Sequence, residues 1–373
     1  MMDNWKTCQL GDLITFQRGH DLPKTKMHGS TYPVVGSNGI IGYHDEYTTE
    51  APSITIGRSG NVGKPFLYKG RSWSHNTSLY IREYKDVDPI FIYYFLQTLD
   101  LGNYAGGSAV PTLNRNHIHT LSVTVPAEIE EQRQIASVLS ALDDKIEKNT
   151  EVNENLEQQA ASYFYHLFIE NSDPSWRVGT ITDLGTVVGG STPSKAKAEY
   201  YTNNGIAWIT PKDLSIDKSK FISHGADDIT ELGLRNSSAT IMPAGTVLFS
   251  SRAPIGYIAI ADGEVTTNQG FKSVVPFGHV GTAFVYFFLK NALPTIESMA
   301  SGSTFKEISG SAMRIVPAII PDDETLRKFS AFCDPLFQHQ RTLEAENRSL
   351  VALRDALLPK LMSGEMDVSD IEI

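Results

Sequence analysis

The chain has 373 residues, 41% of them hydrophobic, and a formal net charge of −11. This length allows two or three domains, each with its own core, and the composition excludes a wholly disordered chain. No run of 18 apolar residues occurs, the first residues lack the features of a secretory signal, and the two cysteines, Cys8 and Cys333, lack metal-ligand spacing. We therefore expect a cytoplasmic protein with no membrane span, no disulfide framework and no metal site.

The negative charge is concentrated in two segments. Residues 128–170 carry a net charge of −7 and residues 322–373 carry −5, whereas residues 1–127 and 171–321 are close to neutral at +1 and 0. A neutral domain can still present a basic face, so contact with nucleic-acid phosphates is compatible with this composition.

The sequence contains an internal repeat. The offset between matching segments grows from 171 to 193 and then to 195 residues, which indicates two copies with an insertion in the first half of the second copy. The matches are Trp5-Lys6 with Trp176-Arg177, IYYFL (92–96) with VYFFL (285–289), Gly107-Ser108 with Gly302-Ser303, and Val125-Pro126 with Ile320-Pro321.

Each copy begins with a strand-rich region of mixed α and β character. Short apolar runs bounded by glycine, proline and asparagine predict strands at 54–57 and 78–81 in the first copy and at 206–210, 246–250 and 257–261 in the second. Residues 89–99 and 281–293 predict short helices, and we assign their aromatic side chains to the core rather than to a base-stacking surface.

Each copy ends in an acidic segment with seam residues at alternating spacings of three and four. The seam runs from Ile135 to Leu167 in the first copy and from Phe329 to Leu361 in the second, which predicts two long helices that can bury each other. Three polar seam residues either fix the register of this pair or face water: Asn149, Asn153 and Asn347. The predicted α+β chain thus divides into domains at 1–127 and 171–321, long helices at 128–170 and 322–366, and an acidic tail at 367–373.

Motifs for enzymatic chemistry fail on their spacing. The segment from Gly60 to Pro65 has the wrong glycine spacing for a P-loop and no hydroxyl after Lys64. The E-x-K triplet at Glu83 and Lys85 lacks the upstream Pro-Asp pair of a nuclease, and neither a histidine metal motif nor a G-x-S-x-G elbow occurs. We therefore expect a binding protein with no catalytic residues.

Polar, glycine-rich loops recur at matching places in the two copies and carry the residue types that recognise DNA. Arginine pairs with guanine and asparagine or glutamine with adenine, while lysine, small hydroxyls and backbone N–H groups contact phosphates. Arg58 and Arg252 are the strongest candidates because each follows a predicted strand, although solvated surface turns remain the alternative for any single residue. The candidate DNA-binding residues are Arg18, Lys24, Lys26, Asn38, Arg58, His75, Asn76, Ser108 and Arg115 in the first copy and Thr192, Ser194, Lys195, Lys212, Arg252, Asn268, Gln269, Ser303, Thr304 and Lys306 in the second.

These segments resemble the specificity subunit of type I restriction–modification systems. The resemblance covers nearly the whole chain, and its most specific parts are the long acidic stretch and the ending of the second helix. The stretches that carry it are RGHDLPKTK (18–26), YPVVGSNGIIGYHDEY (32–47), IGRSGNVGK (56–64), SHNTSLYI (74–81), GGSAVPTLNR (106–115), VPAEIEEQRQIASVLSALDDKIEKNTEVN (125–153), GGSTPSK (189–195), WITPKDL (208–214) and LRDALLPKLMSGE (353–365).

The resemblance implies a tandem pair of target-recognition domains, each followed by a long helix. The two helices would pair as an antiparallel coiled coil and act as a ruler between the domains, and the subunit as a whole would carry no catalysis. Each domain would read one half of a bipartite site in double-stranded DNA. Because the copies differ in their first loops, Arg18-Gly19-His20 against the G-G-S-T-P segment at 189–193, we expect that site to be asymmetric.

The resemblance also implies partners. Two methyltransferase subunits would bind this chain and carry the cofactor S-adenosylmethionine, whereas this chain would bind none, and restriction subunits are further candidate partners. Our candidates for a methyltransferase contact lie at the start of the first long helix, where a solvated helix start is the alternative: Glu128, Glu130, Glu131, Gln132 and Arg133. Two other functions stay open at this point, a coiled-coil scaffold with two protein- or carbohydrate-binding domains and no DNA role, and a methylation-only system without a nuclease.

Overall fold

The structure is a computed structural model that describes residues 4–107, 111–252, 254–302 and 306–371. It divides into two compact units, Met1–Glu147 with Arg348–Ile373, and Lys148–Asn347. Each unit therefore combines one strand-rich copy of the repeat with parts of both long helices. Three candidate DNA-binding residues, Ser108, Ser303 and Thr304, lie outside the described residues. In the part of the chain that is described, no helix is both long enough and apolar enough to cross a membrane.

The first unit is built from short strands and few helices. Its strands are β1 (Trp5–Gln9), β2 (Ile14–Arg18), β3 (Tyr32–Gly36), β4 (Gly39–His44), β5 (Ser53–Gly57), β6 (Pro65–Tyr68), β7 (Trp73–Ser74), β8 (Ser78–Tyr84), β9 (Ala105–Gly106), β10 (Thr112–Leu113) and β11 (Ser122–Pro126). Its helices are α1 (Leu10–Leu13), α2 (Pro89–Gln97), α3 (Arg115–His119), the first part of α4 (Ile129–Tyr165) and the end of α9 (Asp323–Ser363).

Four small sheets organise these strands. An antiparallel sheet has the order β2-β8-β5-β6, a second has the order β4-β3-β7 with β3 and β7 parallel, and β1 pairs with β11 and β9 with β10. Strand β2 alternates, since Ile14 and Phe16 are fully buried while Thr15 and Gln17 are partly exposed, which is the period-two pattern of a half-buried strand.

Helix α2 shows why its aromatic sequence is helical and where its rings lie. The Asp88 side chain accepts hydrogen bonds from the backbone N–H groups of Ile90 and Phe91, and Pro89 occupies the first turn, where a missing N–H costs nothing. Phe91 and Tyr94 are buried in the core of the first unit. The interpretation of these aromatics as core is confirmed.

The second unit repeats this plan with additional elements. Its strands are β12 (Arg177–Thr180), β13 (Gly185–Gly189), β14 (Tyr201–Thr202), β15 (Ile206–Ile209), β16 (Phe221–Ile222), β17 (Asp227–Ile229), β18 (Val247–Phe249), β19 (Ile258–Ala261), β20 (Thr266–Thr267), β21 (Lys272–Pro276) and β22 (Pro317–Ile320). Its helices are α5 (Pro211–Ile216), α6 (Glu231–Arg235), α7 (Thr282–Met299), α8 (Gly310–Arg314) and most of α9 (Asp323–Ser363).

The sheets of the second unit locate the predicted insertion. They have the orders β13-β21-β18-β19-β16, β14-β17-β15-β20 and β12-β22. The parallel pair of β15 and β20 corresponds to the parallel pair of β3 and β7. Between β15 and β18 the second copy has α5, β16, β17 and α6, where the first copy has only β4 between β3 and β5, so the extra residues lie in the first half of the copy, as the growing offset predicted.

Both copies close in the same way against the helix that follows. Strand β1 pairs antiparallel with β11 and strand β12 with β22. The indole Nε1 of Trp5 donates to a Glu131 oxygen at 3.1 Å, and that of Trp176 donates to an Asp322 oxygen at 3.0 Å. Two hydrogen bonds of the same type at the start of two long helices confirm the duplication at the level of side-chain contacts.

The long helices are antiparallel within each unit. In the first unit Ile135 and Leu139, near the start of α4, share a core with Leu361, near the end of α9. In the second unit Ala160 and Phe164, near the end of α4, share a core with Phe329, near the start of α9. The predicted fold class, a strand-rich domain followed by a long helix in each copy with the helices paired antiparallel, is confirmed.

Two of the three polar seam residues, Asn149 and Asn347, bond to each other across the helix pair. Asn149 is 3% exposed, and its Nδ2 donates to Asn347 Oδ1 at 2.9 Å and to a Glu346 oxygen at 2.8 Å. A one-turn slip would leave this buried amide unpaired, so Asn149 favours one register. In the first unit the seam residue Arg354 plays a comparable part, because its Nη1 lies 2.7 Å from Asp143 Oδ1.

Candidate nucleic-acid interface

A cleft of about 830 Å³ opens in the first unit beside the end of β2. Four of its lining residues are arginines and none of those described is acidic, so its wall is cationic. Arg18, Arg58 and Arg115 are candidates from the sequence that the fold brings together. The lining residues are Gln17, Arg18, Arg58, Leu79, Arg82, Gly106, Thr112, Leu113, Asn114, Arg115 and His117.

Backbone hydrogen bonds place two of these arginines. Arg58 follows the buried strand β5, its N–H donates to Thr77 O at 2.8 Å, and its carbonyl accepts from Leu113 N at 2.9 Å. Arg115 opens helix α3, whose preceding residue, Asn114, accepts from the backbone of the first turn. Two chain segments distant in sequence are thus fixed next to each other.

Arg82 is a cleft residue that the sequence reasoning missed. In strand β8 Ile81 is buried and Arg82 is exposed, and Arg82 Nη1 donates to Gln17 Oε1 on the paired strand at 3.3 Å. No simple alternation marks Arg82 in the sequence, because Leu79 to Ile81 are all buried and the pairing of β8 with β2 shifts register at Arg82.

Arg18 and Asp21 form an exposed ion pair at the rim of this region, at 3.2 Å. The hydrogen bond from Asn76 and then the charge of Arg18 hold the pKa of Asp21 below its usual value. Because both members are exposed, the pair contributes little to stability and leaves the guanidinium free to change partners.

A glycine permits the same loop crossing in each unit. His20 N donates to Ser74 O at 2.7 Å, and Ser191 N donates to Thr267 O at 2.8 Å. A Cβ on the preceding residue would lie 2.1 Å from a backbone oxygen at Gly19 and 2.0 Å at Gly190. Only glycine fits this approach, and the two units therefore present these loops in the same way.

In the second unit the crossing loops join two candidate residues. Thr192 Oγ1 donates to Gln269 Oε1, and this pair occupies the place that Asp21 and Asn76 have in the first unit. Asn268 Oδ1 accepts from Gly270 N at 2.8 Å, which fixes the turn and directs its amide nitrogen away from that bond.

Three charged residues form a compact cluster beside these loops: Arg252, Lys272 at the start of β21, and Glu307. We call this cluster the Glu307 triad. Glu307 Oε2 lies 3.0 Å from Arg252 Nε, and Glu307 Oε1 lies 3.8 Å from Lys272 Nζ. Burial lowers the pKa of Lys272, and the nearby Glu307 partly opposes that shift. Lys272 and Glu307 were not among the sequence candidates.

The other described candidates lie outside the cleft lining, and most of them are exposed. Lys24 and Lys26 lie in a 3-10 turn, Lys24–Lys26, and Asn38 lies in the turn between β3 and β4. His75 is half-buried, and its Nδ1 lies 3.1 Å from Thr77 Oγ1. In the second unit Ser194, Lys195, Lys212 and Lys306 are exposed in loops or at a helix start.

The candidate partner contact at the start of α4 needs one correction. Gln132 is fully buried, its Oε1 accepts from Asp88 N at 2.9 Å and its Nε2 donates to Pro126 O at 2.9 Å. It therefore joins the helix to the domain and cannot contact a partner. Gln132 stands among exposed acidic residues in the sequence, so its burial was not predicted.

The other members of that set differ in exposure. Glu128, Glu130 and Arg133 are exposed, whereas Glu131 is half-buried beside Trp5. The described residues contain no group of three or more His, Cys, Asp or Glu side chains placed to hold a metal ion.

Comparison with known proteins gives one family and several relatives. The family described as "Type I restriction modification DNA specificity domain" matches residues 2–158 and again residues 174–351. Over 171 residues the chain is 39% identical to the MjaIX specificity subunit of Methanocaldococcus jannaschii, a match that spans 44% of this chain and 39% of that protein. Over 332 residues it is 24% identical to the HindI specificity subunit of Haemophilus influenzae, spanning 69% of this chain and 71% of that protein.

Among solved structures, the S subunit of a type I restriction–modification system from M. genitalium matches with a TM-score of 0.66 and 19% identity, over 96% of each chain. At this identity the likeness concerns the fold.

Proposed function

The chain belongs to the family of type I restriction–modification DNA specificity domains, and from this premise we propose that it is the DNA-recognition subunit of such a system. Each unit binds one half of a bipartite double-stranded DNA site. The observation that carries the proposal is the cationic cleft of the first unit, which lies within the first of the two matched regions.

The chemistry of the cleft suits DNA. Arginine side chains bind phosphates and, through two parallel N–H groups, guanine. A wall with four arginines and no acidic residue among those described attracts a polyanion, and the attraction weakens with salt as counterions are released less favourably. The overall charge of −11 does not oppose this, because the acidic excess lies in the helical segments.

The two units are expected to read different half-sites. The first presents an arginine-lined cleft, while the second presents a Thr–Gln pair and the Glu307 triad in the corresponding loops. Different donors and acceptors recognise different base edges, so the complete site is asymmetric.

We assign no chemical step to this chain. Methyltransferase subunits, two per chain, supply catalysis and bind S-adenosylmethionine, and restriction subunits join where the system has them. Glu128, Glu130 and Arg133 remain our candidates for a methyltransferase contact, since they are exposed at the start of α4.

Co-expression with a methyltransferase subunit from the same operon, followed by long-read mapping of adenine methylation, tests the proposal. We expect methylation within a split, non-palindromic motif that is absent without this chain. Arg58→Ala should reduce methylation, whereas Arg71→Ala, which removes an exposed arginine paired with Glu50 and outside the cleft lining, should not. A stable complex that binds S-adenosylmethionine but leaves no methylation would contradict the proposal.

A further inference from the structure

The backbone around Glu307 is hydrogen-bonded to two neighbouring segments of the second unit. Its N–H donates to Ser301 O at 2.9 Å, its carbonyl accepts from Ser301 N at 3.0 Å, and the N–H of the next residue, Ile308, donates to Ser251 O at 3.0 Å. Its carboxylate contacts Arg252 at one oxygen and lies near Lys272 at the other. The backbone thus fixes where this negative charge stands among residues that are candidates for DNA contact.

The first unit has the same backbone arrangement without the charges. An isolated bridge joins Ser59 to Thr112 there, and the corresponding bridge in the second unit joins Arg252 to Glu307. The supporting hydrogen bond is also repeated, because Leu113 N donates to Arg58 O as Ile308 N donates to Ser251 O. By this register Arg252 corresponds to Ser59, so Arg58 and Arg252 occupy neighbouring rather than equivalent places.

The third member of the triad follows the same rule. Lys272 lies opposite Gly189 in the pair of β13 and β21, and the corresponding partner of Arg18 in the pair of β2 and β8 is the buried Leu79. All three charged residues of the triad therefore replace uncharged residues of the first unit. The same backbone arrangement therefore forms in the first unit without these charges.

The geometry of the pair suits one task. Glu307 Oε2 engages Arg252 at Nε, which leaves the terminal Nη groups of the guanidinium for another acceptor. Two such N–H groups side by side match O6 and N7 of guanine in the major groove. The Arg252 side chain is long and 47% exposed, and a carboxylate at Nε restricts its rotation. Less conformational entropy is then lost when the guanidinium binds a base.

We propose that Glu307 is a positioning residue that orients Arg252 to recognise a guanine in the half-site bound by the second unit. This inference rests on the proposed function, because it needs a DNA half-site at this loop cluster. The side chain of Lys272 is 14% exposed and contacts the same cluster. Its Nζ lies 3.4 Å from Gln269 O and 3.5 Å from Ser251 Oγ.

The test compares methylation motifs in the complete complex with its methyltransferase. Glu307→Gln should lower the preference for guanine at one position of one half-site by about tenfold, the scale of a single bidentate base contact, and leave the other half-site unchanged. Arg252→Lys keeps the charge but removes the two-pronged donor, and should relax the same position. Glu307→Asp should retain part of the preference. Glu50→Gln is the matched control, because it alters an exposed pair with the same Arg Nε to Glu Oε2 contact in the first unit.

The outcomes separate the inference from the function on which it rests. A wild-type split motif that Glu307→Gln leaves unchanged, or a rise in methylation without any change of motif, overturns the inference and leaves the proposed function standing. Absence of methylation by the wild-type complex overturns both. If Glu307→Gln lowers the thermal stability of the chain, the Arg252→Lys variant provides the test. A loss of guanine preference at a single position of the motif is not a consequence of lost stability.

Discussion

Replacing Lys220 with methionine is expected to destabilise the second unit by about 3 kcal/mol. Lys220 lies immediately before β16, in the inserted part of the second copy, and its side chain is only 6% exposed. Its Nζ forms an ion pair with Glu157 of α4, donates to Gln340 Oε1 of α9 at 2.5 Å and stands 3.9 Å from the ring centroid of Phe337. One lysine thus joins the recognition domain to both long helices within this unit.

The magnitude follows from what the substitution leaves behind. Removing one partner of a buried ion pair costs about 3–5 kcal/mol, because the other charge stays in a poorly solvated place. Glu157 keeps a second partner, Lys290, at 2.6 Å, which is 43% exposed, so the lower end of that range applies. For a unit of this size, about 3 kcal/mol corresponds to a fall of about 6–12 °C in melting temperature.

Differential scanning calorimetry of the wild type and the variant measures this fall. Lys218→Met is the control, because Lys218 is an exposed lysine two positions away, and its replacement should shift the transition by less than 2 °C, about 0.5 kcal/mol. The double variant Lys220→Met with Glu157→Leu should recover most of the loss, since well-packed apolar residues can replace a buried pair. A Lys220→Met shift as small as that of the control would show that Lys220 and Glu157 do not form a buried ion pair that stabilises the second unit.

Four further predictions follow from single contacts. Arg82→Gln should reduce the slope of log K against log salt for DNA binding by about 0.9 as one phosphate contact is lost, measured by fluorescence anisotropy. Gln132→Ala should lower the free energy of unfolding by about 1–3 kcal/mol in urea, because it unpairs two buried backbone groups. Gly190→Ala, whose Cβ would stand 2.0 Å from Asn268 O, should weaken methylation by displacing the recognition loop of the second unit. Burial raises the pKa of Glu157, but its lysine partners outweigh this and lower it from 4.5, so its contribution to stability is complete above about pH 4.5 and lost as the pH falls.

Each of these has a contradicting result. An unchanged salt slope would remove Arg82 from the interface, and a Gln132 variant as stable as the wild type would mean that water replaces its amide. Full methylation by Gly190→Ala would show that the loop tolerates the added methyl group. For Glu157, the stability difference between wild type and Glu157→Gln, measured from pH 6 to pH 3, should shrink with falling pH, and a constant difference would contradict the assigned shift.

Periodicity and repetition were sufficient to predict the architecture. The seam from Ile135 to Leu167 predicted a helix, and α4 extends from Ile129 to Tyr165 and continues as a π-helical turn at His166–Glu170. These signals are local and regular, since one buried stripe specifies one helix face. The growing offset likewise located the insertion, because added residues change spacing without removing flanking matches.

Pairwise contacts between distant segments were not predictable in the same way. Gln132 lies in a segment whose composition is typical of an exposed helix start. Its side chain is buried because it bonds to the backbones of Asp88 and Pro126, which approach it only in the folded chain. The role of Glu307 was not predictable from its local sequence either, because it depends on contact with Arg252, which is distant in the chain. Residue type identified candidate donors for DNA, whereas the cleft that selects among them is a product of tertiary structure.

If each unit recognises its own half-site, variants of the two units should alter different halves of the methylation motif. Methylation would be mapped for the wild type, Arg58→Ala from the cleft of the first unit and Gln269→Ala from the loops of the second. We predict that each variant changes base preference in a different half of one split motif and leaves the opposite half intact. A contiguous motif, or variants that weaken both halves equally while the complex stays folded, would contradict the account.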